Sequence, residues 1–405
     1  MHLLKSKAVL TALAVSAGIG VAACGSSTKK STSSTPSSAA TTTPSVTVSS
    51  FTNNFSAMAA LKPLATEGKG KVAAILPDTT SSTRYVEFDQ PDLAKAMAAA
   101  GLPKSDIIVQ NGLDSDSTFL TDAESDITNG ATVLLIDPED SGTGVQVENY
   151  AKTHGVQVID YDRLDLGGPA DDYVSFNNVE VGRLIGQGFQ SCVTAWHVSH
   201  PNVIVMRGDP TDNNATLFAQ GYDSVLAPDF ASGKYTKVAT PAGTWTPTVA
   251  LTEFEQAYTA HSNANSAVIP NDENGAPIIT YLKSHGIKAN VFPTTGQDAT
   301  LTGLQNILSG YQCGTVYKPI YKEAQAAVAL AMYLRAGKNP PSSLLNGTTT
   351  DPTNKDQVPS VLLQPEWVTP SNMVDTIVKD NFVPTKQLCA GSYGAECKKY
   401  GISTT

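Results

Sequence analysis

From residue 71 onward, short continuous apolar runs alternate with amphipathic stretches, and this alternation restricts the fold more than any other feature of the chain. Runs such as Val72–Leu76 and Val133–Ile136 have the length of a strand and no polar face. They predict strands that are buried on both sides of a parallel sheet. The intervening stretches, for example the one containing Leu93 and Met97, repeat apolar residues at helical spacing. The pattern predicts an α/β fold with helices on both faces of its sheets.

Eight predicted strands are spread over about 330 residues, which indicates two doubly wound parallel-sheet lobes. A single barrel is the alternative, but eight regular βα units are harder to fit into this stretch. In open sheets of this kind the crossovers are right-handed, and ligands bind beyond the carboxyl ends of the strands. The predicted strands are Val72–Leu76, Ile107–Val109, Val133–Ile136, Val156–Ile159, Val203–Met206, Ala267–Ile269, Val291–Phe292 and Thr315–Tyr317.

The first 23 residues are typical of an export signal. Lys5 and Lys7 precede an apolar run, Ala8–Val21, that is too short to span a bilayer and suits a signal peptide. The run ends in small residues directly before Cys24, which resembles a bacterial lipobox. We therefore expect lipid attachment at Cys24, so that the protein contacts the outer face of the cell membrane through a lipid anchor only. The alternative is an ordinary cleavage site with a chance cysteine.

A tether rich in serine and threonine is predicted for residues 24–68. Residues 25–50 contain 17 Ser and Thr and only two charged residues, Lys29 and Lys30. Such a stretch cannot bury enough apolar surface to offset the entropy lost on ordering. The end of the stretch is ambiguous, because a short helix around Met58 is compatible with its sequence.

Polar residues follow one predicted strand after another. Asp162 and Arg163 come after the fourth strand, Asn271 after the sixth and Lys318 after the eighth. Taken singly, such residues are usually helix caps or turns. Their recurrence at the same edge of the sheets favours a binding site instead. Planar groups with fixed donor and acceptor directions suit the hydroxyls of a sugar, and Trp245 offers a flat apolar face for the ring.

The stretch from Lys71 to about Phe382 resembles the periplasmic sugar-binding proteins of ABC transporters, most closely the D-xylose-binding proteins. Each motif is weak alone, but their combination and order are specific. The motifs are Tyr161-Asp162-Arg163, Tyr173-Val174-Ser175-Phe176-Asn177-Asn178, Val181-Gly182, Asp212-Asn213-Asn214-Ala215, Leu217-Phe218, Asn271-Asp272, Gly296-Gln297-Asp298-Ala299, Thr315-Val316-Tyr317-Lys318-Pro319-Ile320 and Val358-Pro359-Ser360.

The resemblance implies a type I periplasmic-binding-protein fold, in which two lobes joined by a three-strand hinge close on one monosaccharide. It also implies a monomer that delivers the sugar, most closely D-xylose, to an ABC transporter permease. The expected lobes are 69–163 with 317–362, and 164–316 with 363–405. The implied sugar-binding residues are Arg84, Tyr85, Asp162, Arg163, Asp212, Asn214, Trp245, Asn271, Asp298 and Lys318.

Three departures from the family pattern concern the binding region. Asn177 stands where the family usually has Asp, and we expect it to have a structural role because it caps a helix. Tyr85 replaces the usual Trp beside the first arginine, and the segment before Trp245 differs. These last two changes leave the identity of the sugar open.

Other function classes find little support. The formal net charge of −10 disfavours nucleic acid, which requires clustered Lys and Arg. His197 and His200 have a spacing that some metals use, but they lack Cys or carboxylate neighbours, so no metal and no cofactor is predicted. Asp160 and Asp162 alternate along a strand and point to opposite faces, so they cannot act on one bond as an enzyme's paired acids. The remaining alternatives are another pentose or hexose as ligand, or a sugar-sensing subunit of a membrane receptor.

Five cysteines form an odd set, and lipidation of Cys24 leaves four. Cys389 and Cys397 flank a short loop that a disulfide closes readily in an exported protein. Cys192 would end the first helix of the second lobe and Cys313 would begin its last strand, both at the edge opposite the cleft. Although four cysteines allow three pairings, we predict Cys192–Cys313 and Cys389–Cys397.

Overall fold

The computed structural model describes residues 45–404. The predicted signal peptide, Cys24 and the first part of the predicted tether lie outside the described residues. The strands are β1 (Lys71–Leu76), β2 (Ile107–Asn111), β3 (Ala131–Ile136), β4 (Gln157–Tyr161), β5 (Asp172–Phe176), β6 (Asn202–Val205), β7 (Thr236–Ala239), β8 (Ser266–Val268), β9 (Thr315–Tyr317), β10 (Gly347–Thr350), β11 (Gln357–Leu363) and β12 (Glu366–Val368).

Helices connect most of these strands, as the alternating pattern predicts. The helices are α1 (Lys62–Glu67), α2 (Gln90–Ala99), α3 (Asp116–Thr128), α4 (Ser141–Thr153), α5 (Asn178–Ala195), α6 (Asn213–Ala231), α7 (Pro247–Ala260), α8 (Asp272–Ser284), α9 (Leu301–Leu308), α10 (Ile320–Arg335), α11 (Thr385–Leu388) and α12 (Gly394–Lys399). Shorter helical turns lie at Val48–Ser50, Ser56–Leu61, Tyr85–Asp89, Lys104–Asp106, Val374–Val378 and Gly391–Tyr393.

The N-terminal lobe is built on a seven-stranded sheet in the order β10-β11-β5-β4-β3-β1-β2. All neighbouring pairs are parallel except β10 with β11, which forms an antiparallel edge. The central strands β1 and β3 are almost wholly buried, as their continuous apolar sequences predict. Helix α10 packs against β3, β4 and β5 and is buried on nearly all sides. Its run of alanines lets the sheet approach it closely, and a helix that is apolar all round belongs in a core.

The C-terminal lobe contains a three-stranded parallel sheet, β7-β6-β8, and an antiparallel pair, β9 with β12. The segment 293–298 runs between the two. On one side Ala267 N donates to Pro293 O at 2.9 Å, and on the other Asp298 N donates to Val316 O at 2.9 Å. The predicted strand Val291–Phe292 is wrong: it is a turn, with Val291 exposed and Phe292 buried in the core. Two apolar residues are too few to define a strand.

Helices α5 and α6 cross at very short range on one face of this lobe. A Cβ at Gly182 would overlap the backbone of Phe218, and one at Gly221 would overlap Val179 O. Glycine is therefore required at both positions for the helices to approach each other.

The chain crosses between the lobes three times, from β5 to α5, from β9 to α10 and from β11 to β12. This arrangement places β5 in the N-terminal sheet, where it pairs with β4 and β11. The first lobe boundary, expected after residue 163, therefore lies after Phe176. The physical reason is that β5 completes its sheet through β11, a partner more than 180 residues further along the chain.

The last third of the predicted tether is part of the folded body. Phe51, Phe55, Met58, Leu61 and Leu64 are all buried in the main hydrophobic core, against α2 and α10. The buried apolar residues in this stretch recur every three or four positions, which places them on one face. The prediction of a tether up to residue 68 is wrong for this part, and the helical turn around Met58 is present.

Both predicted disulfides are present. Cys192 and Cys313 join the last part of α5 to the loop before β9, with Cα atoms 5.6 Å apart, and Cys389 and Cys397 close a short loop near the C-terminus. Between residues 45 and 404, no helix has the length and apolar character that a bilayer crossing requires.

We predict that Leu61→Ala lowers the free energy of unfolding by about 2–5 kcal/mol, because it removes a fully buried side chain from the main core. Ser56→Ala, at an exposed position five residues earlier, should change it by less than about 0.5 kcal/mol. Urea denaturation of both variants measures the difference. Equal stability of Leu61→Ala and the parent would mean that this segment does not pack on the body.

Candidate ligand-binding site

Loops from both lobes surround one small cavity. Residues 81–85 follow β1, residues 162–163 follow β4, residues 212–218 follow β6 and residue 318 follows β9. The cavity therefore lies at the carboxyl ends of the strands, where open α/β sheets bind ligands. Its lining residues are Ser81, Ser82, Arg84, Tyr85, Asp162, Arg163, Asp212, Asn214, Phe218, Trp245, Asn271, Gln297, Asp298 and Lys318.

Arg84 is buried at the floor of the cavity and pairs with three carboxylates. It donates to Asp162 at 2.8 Å, to both oxygens of Asp89 at 2.9 and 2.7 Å, and to Glu323 on α10 at 2.7 Å. Tyr161 OH donates to the same Asp89 carboxylate. Every nitrogen of the guanidinium is thus engaged by protein, so Arg84 mainly positions Asp162 and has little capacity left for a ligand.

Burial and the surrounding charges shift the pKa values of Asp162 and Glu323 in opposite directions. Burial alone would raise the pKa of Asp162, but Arg84, Lys318 and Arg163 outweigh it and hold that pKa below its usual value. Glu323 has the opposite balance, because burial raises its pKa well above the ordinary value and Arg84 compensates only in part. Asp162 is therefore an ionised acceptor at the cavity wall, and Glu323 behind it is the weaker acid of the two.

Arg163 forms a second buried cation in the same wall. It donates to Pro138 O at 2.7 Å and to Tyr85 OH at 3.1 Å. Its Nε lies 3.5 Å from Asp137 and 3.6 Å from Asp212, distances that are too long for hydrogen bonds. The Nε side of this guanidinium consequently keeps donor capacity toward the cavity.

Trp245 presents its ring to the cavity and is held by the protein on two sides. Its indole N–H donates to Asp212 at 2.9 Å, and Phe218 packs edge-on against the ring with centroids 6.3 Å apart. A Cβ at Gly208 would overlap the six-membered part of the indole, so glycine is required there for the ring to adopt this position. The arrangement fixes the orientation of an aromatic plane that a ligand can stack on.

Asp298 is the corresponding acid of the C-terminal lobe. Its Oδ2 accepts from Ser82 Oγ at 3.0 Å, and Lys318 Nζ lies 3.0 Å from its Oδ1. Asp298 and Asp162 both have left-handed backbone conformations, with φ of 87° and 63°. Such conformations cost about 1–3 kcal/mol for a residue with a side chain, so the surrounding contacts must hold both residues in place.

Direct hydrogen bonds join the two lobes around the cavity. Besides the Ser82–Asp298 bond, Thr83 N donates to Glu273 at 3.0 Å, and Asn271 Nδ2 donates to Ser81 O at 3.2 Å. The structure therefore represents a closed conformation, in which both lobes contribute to the same wall.

Comparison with known proteins agrees with this geometry. A model described as "Periplasmic binding protein domain" matches residues 72–339, which is more than half of the chain. The chain belongs to the periplasmic binding protein family. It is 36% identical to the D-xylose-binding periplasmic protein of Escherichia coli (strain K12) over 284 residues, 70% of this chain and 83% of that protein. It is 30% identical to the multiple sugar-binding periplasmic receptor ChvE of Rhizobium radiobacter over 335 residues, 79% of this chain and 92% of that protein.

Solved structures of periplasmic binding proteins share the fold. A carbohydrate transporter solute-binding protein from Chloroflexus aurantiacus, in complex with D-glucose, superposes with a TM-score of 0.69. The two sequences are 24% identical, and the match covers 78% of this chain and 97% of that one. This similarity confirms the two-lobed, type I architecture that the sequence predicts.

All ten residues predicted from the sequence lie on the wall of this one cavity. Several of them are also the helix caps that polar residues after strands usually are. Asp212 accepts from Asn214 N at 2.8 Å at the start of α6, and Asn271 accepts from Asn274 N at 3.0 Å at the start of α8. Asn177 caps α5 through Glu180 N, which confirms the structural role expected for it.

Sequence analysis missed four lining residues: Ser81, Ser82, Phe218 and Gln297. The two serines belong to a polar run that follows β1, the same signal that identified Asp162 and Asn271. Phe218 and Gln297 lie within the quoted motifs, next to residues that were assigned a role. Phe218 follows Asn214 by four residues, which is nearly one helical turn, so the two side chains lie on the same face of α6.

We predict that Arg84→Met destabilises this periplasmic binding protein by about 3–5 kcal/mol, because Asp89 and Asp162 lose their buried partner. The matched control is Arg183→Met, which removes a half-exposed arginine 3.7 Å from Glu180 and should cost less than about 1 kcal/mol. Chemical denaturation of both variants tests the difference. Equal losses would contradict a special role for the buried network.

Proposed function

We propose that this chain is an extracytoplasmic solute-binding lipoprotein that captures a monosaccharide, with D-xylose as the first candidate. In this proposal it binds the sugar as a monomer between its two lobes and delivers it to an ABC transporter permease. It has the role of a binding protein and catalyses no reaction on the sugar.

The observation that carries the proposal is the set of hydrogen-bonding groups that the two lobes direct into one small cavity. Gln297 Oε1 is buried and accepts no hydrogen bond from the protein, whereas the buried Asp298 Oδ1 lies 3.0 Å from Lys318 Nζ. Leaving a buried acceptor such as Gln297 Oε1 unsatisfied costs free energy, so a ligand that donates to it is favoured. Arg163 and Lys318 supply donors in the same wall. A polyhydroxylated ring both donates and accepts in several directions, and it matches this mixture.

The aromatic part of the cavity suits the same ligand. A pyranose ring has an apolar face of C–H groups and an equatorial rim of hydroxyls. Trp245 can cover the face while Asp162 and Asn271 reach the rim from opposite lobes. The cavity is small and is closed in by side chains of both lobes, which favours one sugar unit over a longer saccharide.

Binding and closure are coupled in this proposal. The sugar contacts both lobes only when the cleft is shut, so it stabilises the closed conformation by its differential affinity. A permease that recognises the closed conformation would then interact mainly with the sugar-bound protein.

D-xylose is the first candidate because a D-xylose-binding protein is 36% identical over most of the chain. A broader specificity is the second candidate, supported by the 30% identity to a receptor described as binding multiple sugars. Tyr85 and the segment before Trp245 are the positions at which this chain departs from the D-xylose pattern, so they are the first places to look for a change of specificity.

We predict that Arg163→Ala and Asp298→Ala each weaken sugar binding about 100-fold or more, because each leaves a buried partner or ligand hydroxyl unpaired. Calorimetry with D-xylose, D-ribose, L-arabinose and D-glucose measures affinity and ranks the sugars. Circular dichroism establishes that the variants remain folded.

Arg183→Ala and Asp356→Ala are the controls, since both positions are exposed and lie away from the cavity. They should bind with unchanged affinity. Retained affinity in Arg163→Ala and Asp298→Ala would refute the site, whereas tight binding of a hexose with no response to xylose would refute only the choice of sugar.

Lipid anchoring is the part of the proposal that concerns Cys24. We predict that the parent protein, expressed in a bacterium, sediments with membranes and that Cys24→Ala releases it into the soluble fraction, because the lipid would be its only membrane attachment. Ser26→Ala, two residues later, is the control. Equal membrane attachment of Cys24→Ala and the parent would contradict lipidation at this residue.

A further inference from the structure

A second cluster of acids lies on the opposite face of the strand that carries the cavity loop. Asp160 is the fourth residue of β4, Asp165 follows in the loop, and Glu148 reaches them from α4. An oxygen from each of the three carboxylates lies within 4.8 Å of the others. All three side chains are buried, with at most 3% of any residue exposed.

Hydrogen bonds within the protein leave most of these oxygens unsatisfied. Asp160 Oδ2 accepts from Asp165 N at 2.8 Å. Asp160 Oδ1, Asp165 Oδ2 and both oxygens of Glu148 accept none. Glu148 is 1% exposed, and the partner of its carboxyl group is another acid of the cluster, Asp160. In the part of the chain that the structure describes, none of the three pairs with a Lys, Arg or His within 4.0 Å.

The nearby positive charge does not balance these acids: burial, Asp160 and Glu148 raise the pKa of Asp165 well above its ordinary value, and Arg163 offsets this only in part. Burial raises the pKa of Glu148 to about 11 and that of Asp160 to about 7. Asp351 and Asp171 add further negative charge near Glu148. Such a group of carboxyls is stable only if protons or a cation neutralise it.

Two glycines shape the space around the cluster. A Cβ at Gly144, one helical turn before Glu148 on α4, would overlap the Asp165 carboxylate, and one at Gly168 would overlap the Glu148 carboxylate. The backbone therefore approaches the acids where a side chain would displace them. No apolar side chain can fill this space without moving the carboxylates.

We propose that Glu148, Asp160 and Asp165 bind a divalent cation that prefers oxygen ligands, and that Ca²⁺ is the best fit. Ca²⁺ binds oxygens at about 2.3–2.6 Å, so two ligands on opposite sides of it lie about 4.6–5.2 Å apart. Oxygens of all three carboxylates that lie within 4.8 Å of one another are compatible with joint coordination of one Ca²⁺ after small side-chain adjustments. Mg²⁺ requires shorter distances and keeps several waters, which this buried position disfavours. Carboxylate ligands also disfavour cations that prefer sulfur or imidazole.

The cation would stabilise the loop that carries two residues of the cavity. Asp162 and Arg163 lie between Asp160 and Asp165, and the Asp165 N to Asp160 Oδ2 bond already closes this loop. A cation bound to the ends of the loop would restrict it further. The proposed cation site lies in the N-terminal lobe outside the cavity, and it does not depend on which ligand the cavity holds.

The experiment compares the full-length chain with Glu148→Gln, after treatment with a chelator and again with added CaCl₂. We expect calorimetry to detect binding of Ca²⁺ to the parent chain. At about 100-fold excess over its dissociation constant, Ca²⁺ should raise the Tm by about 3–6 °C. Glu148→Gln should lose this response, and in chelator it should melt no lower than the parent, because it removes repulsion among the acids.

Glu124→Gln, an exposed glutamate on α3 of the same lobe, is the matched control and should respond as the parent does. If Glu148→Gln fails to fold, titration of the parent with Ca²⁺, Mg²⁺ and Mn²⁺ still decides the matter. Absence of binding heat and of any Tm change with all three cations would overturn the proposal, since protons alone would then neutralise the cluster. An equal Ca²⁺ response in the parent and Glu148→Gln would overturn it as well.

Discussion

The pairing of Arg84 with three buried carboxylates is the interaction on which the binding region depends. Its partners come from separate elements: Asp89 from the helical turn after β1, Asp162 from the loop after β4, and Glu323 from α10. A buried guanidinium is tolerable only when its donors are satisfied, so these elements cannot move apart independently. The same pairing keeps Asp162 ionised at the cavity wall. The buried network around Arg84, which the N-terminal lobe needs for its stability, therefore also fixes the charge and the position of Asp162 as an acceptor.

The C-terminal lobe meets this rigid wall through few contacts. The hydrogen bonds that join the lobes around the cavity include Ser82 with Asp298, Thr83 with Glu273, Asn271 with Ser81 O, and Asn214 with Asp162 O. Each contributes about 0.5–1.5 kcal/mol net, because opening returns the same groups to water. The closed and open forms should thus differ by only a few kcal/mol. A ligand that adds several hydrogen bonds to both lobes is sufficient to shift that balance.

The sequence predicts the site better than the boundaries of the fold. Polar residues after buried strands could be brought together without a structure, because parallel strands end at one edge of a sheet. The place of β5 could not be predicted in this way, since it is decided by pairing with β11, far along the chain. Phe51 and Leu61 were assigned to the tether because they follow directly on the stretch rich in serine and threonine, although their own segment is not. Ser81 and Ser82 also follow a buried strand, but serine is equally typical of turns, so this position alone did not identify them as site residues.

The loop between Asp160 and Asp165 is held by hydrogen bonds on both faces of β4. Asp162 has a left-handed backbone conformation, which is unfavourable for a residue with a side chain. Its carbonyl accepts from Ser175 Oγ at 2.6 Å and from Asn214 Nδ2 at 3.0 Å, and the Asp165 N to Asp160 Oδ2 bond closes the loop on the far face. Hydrogen bonds on both faces therefore hold a conformation that the loop would not adopt alone. Because Asn214 belongs to the C-terminal lobe and Ser175 to the N-terminal sheet, closure of the cleft adds to this restraint. The position of Asp162 is thus most strictly defined when both lobes are in contact, which is the state in which a ligand requires it.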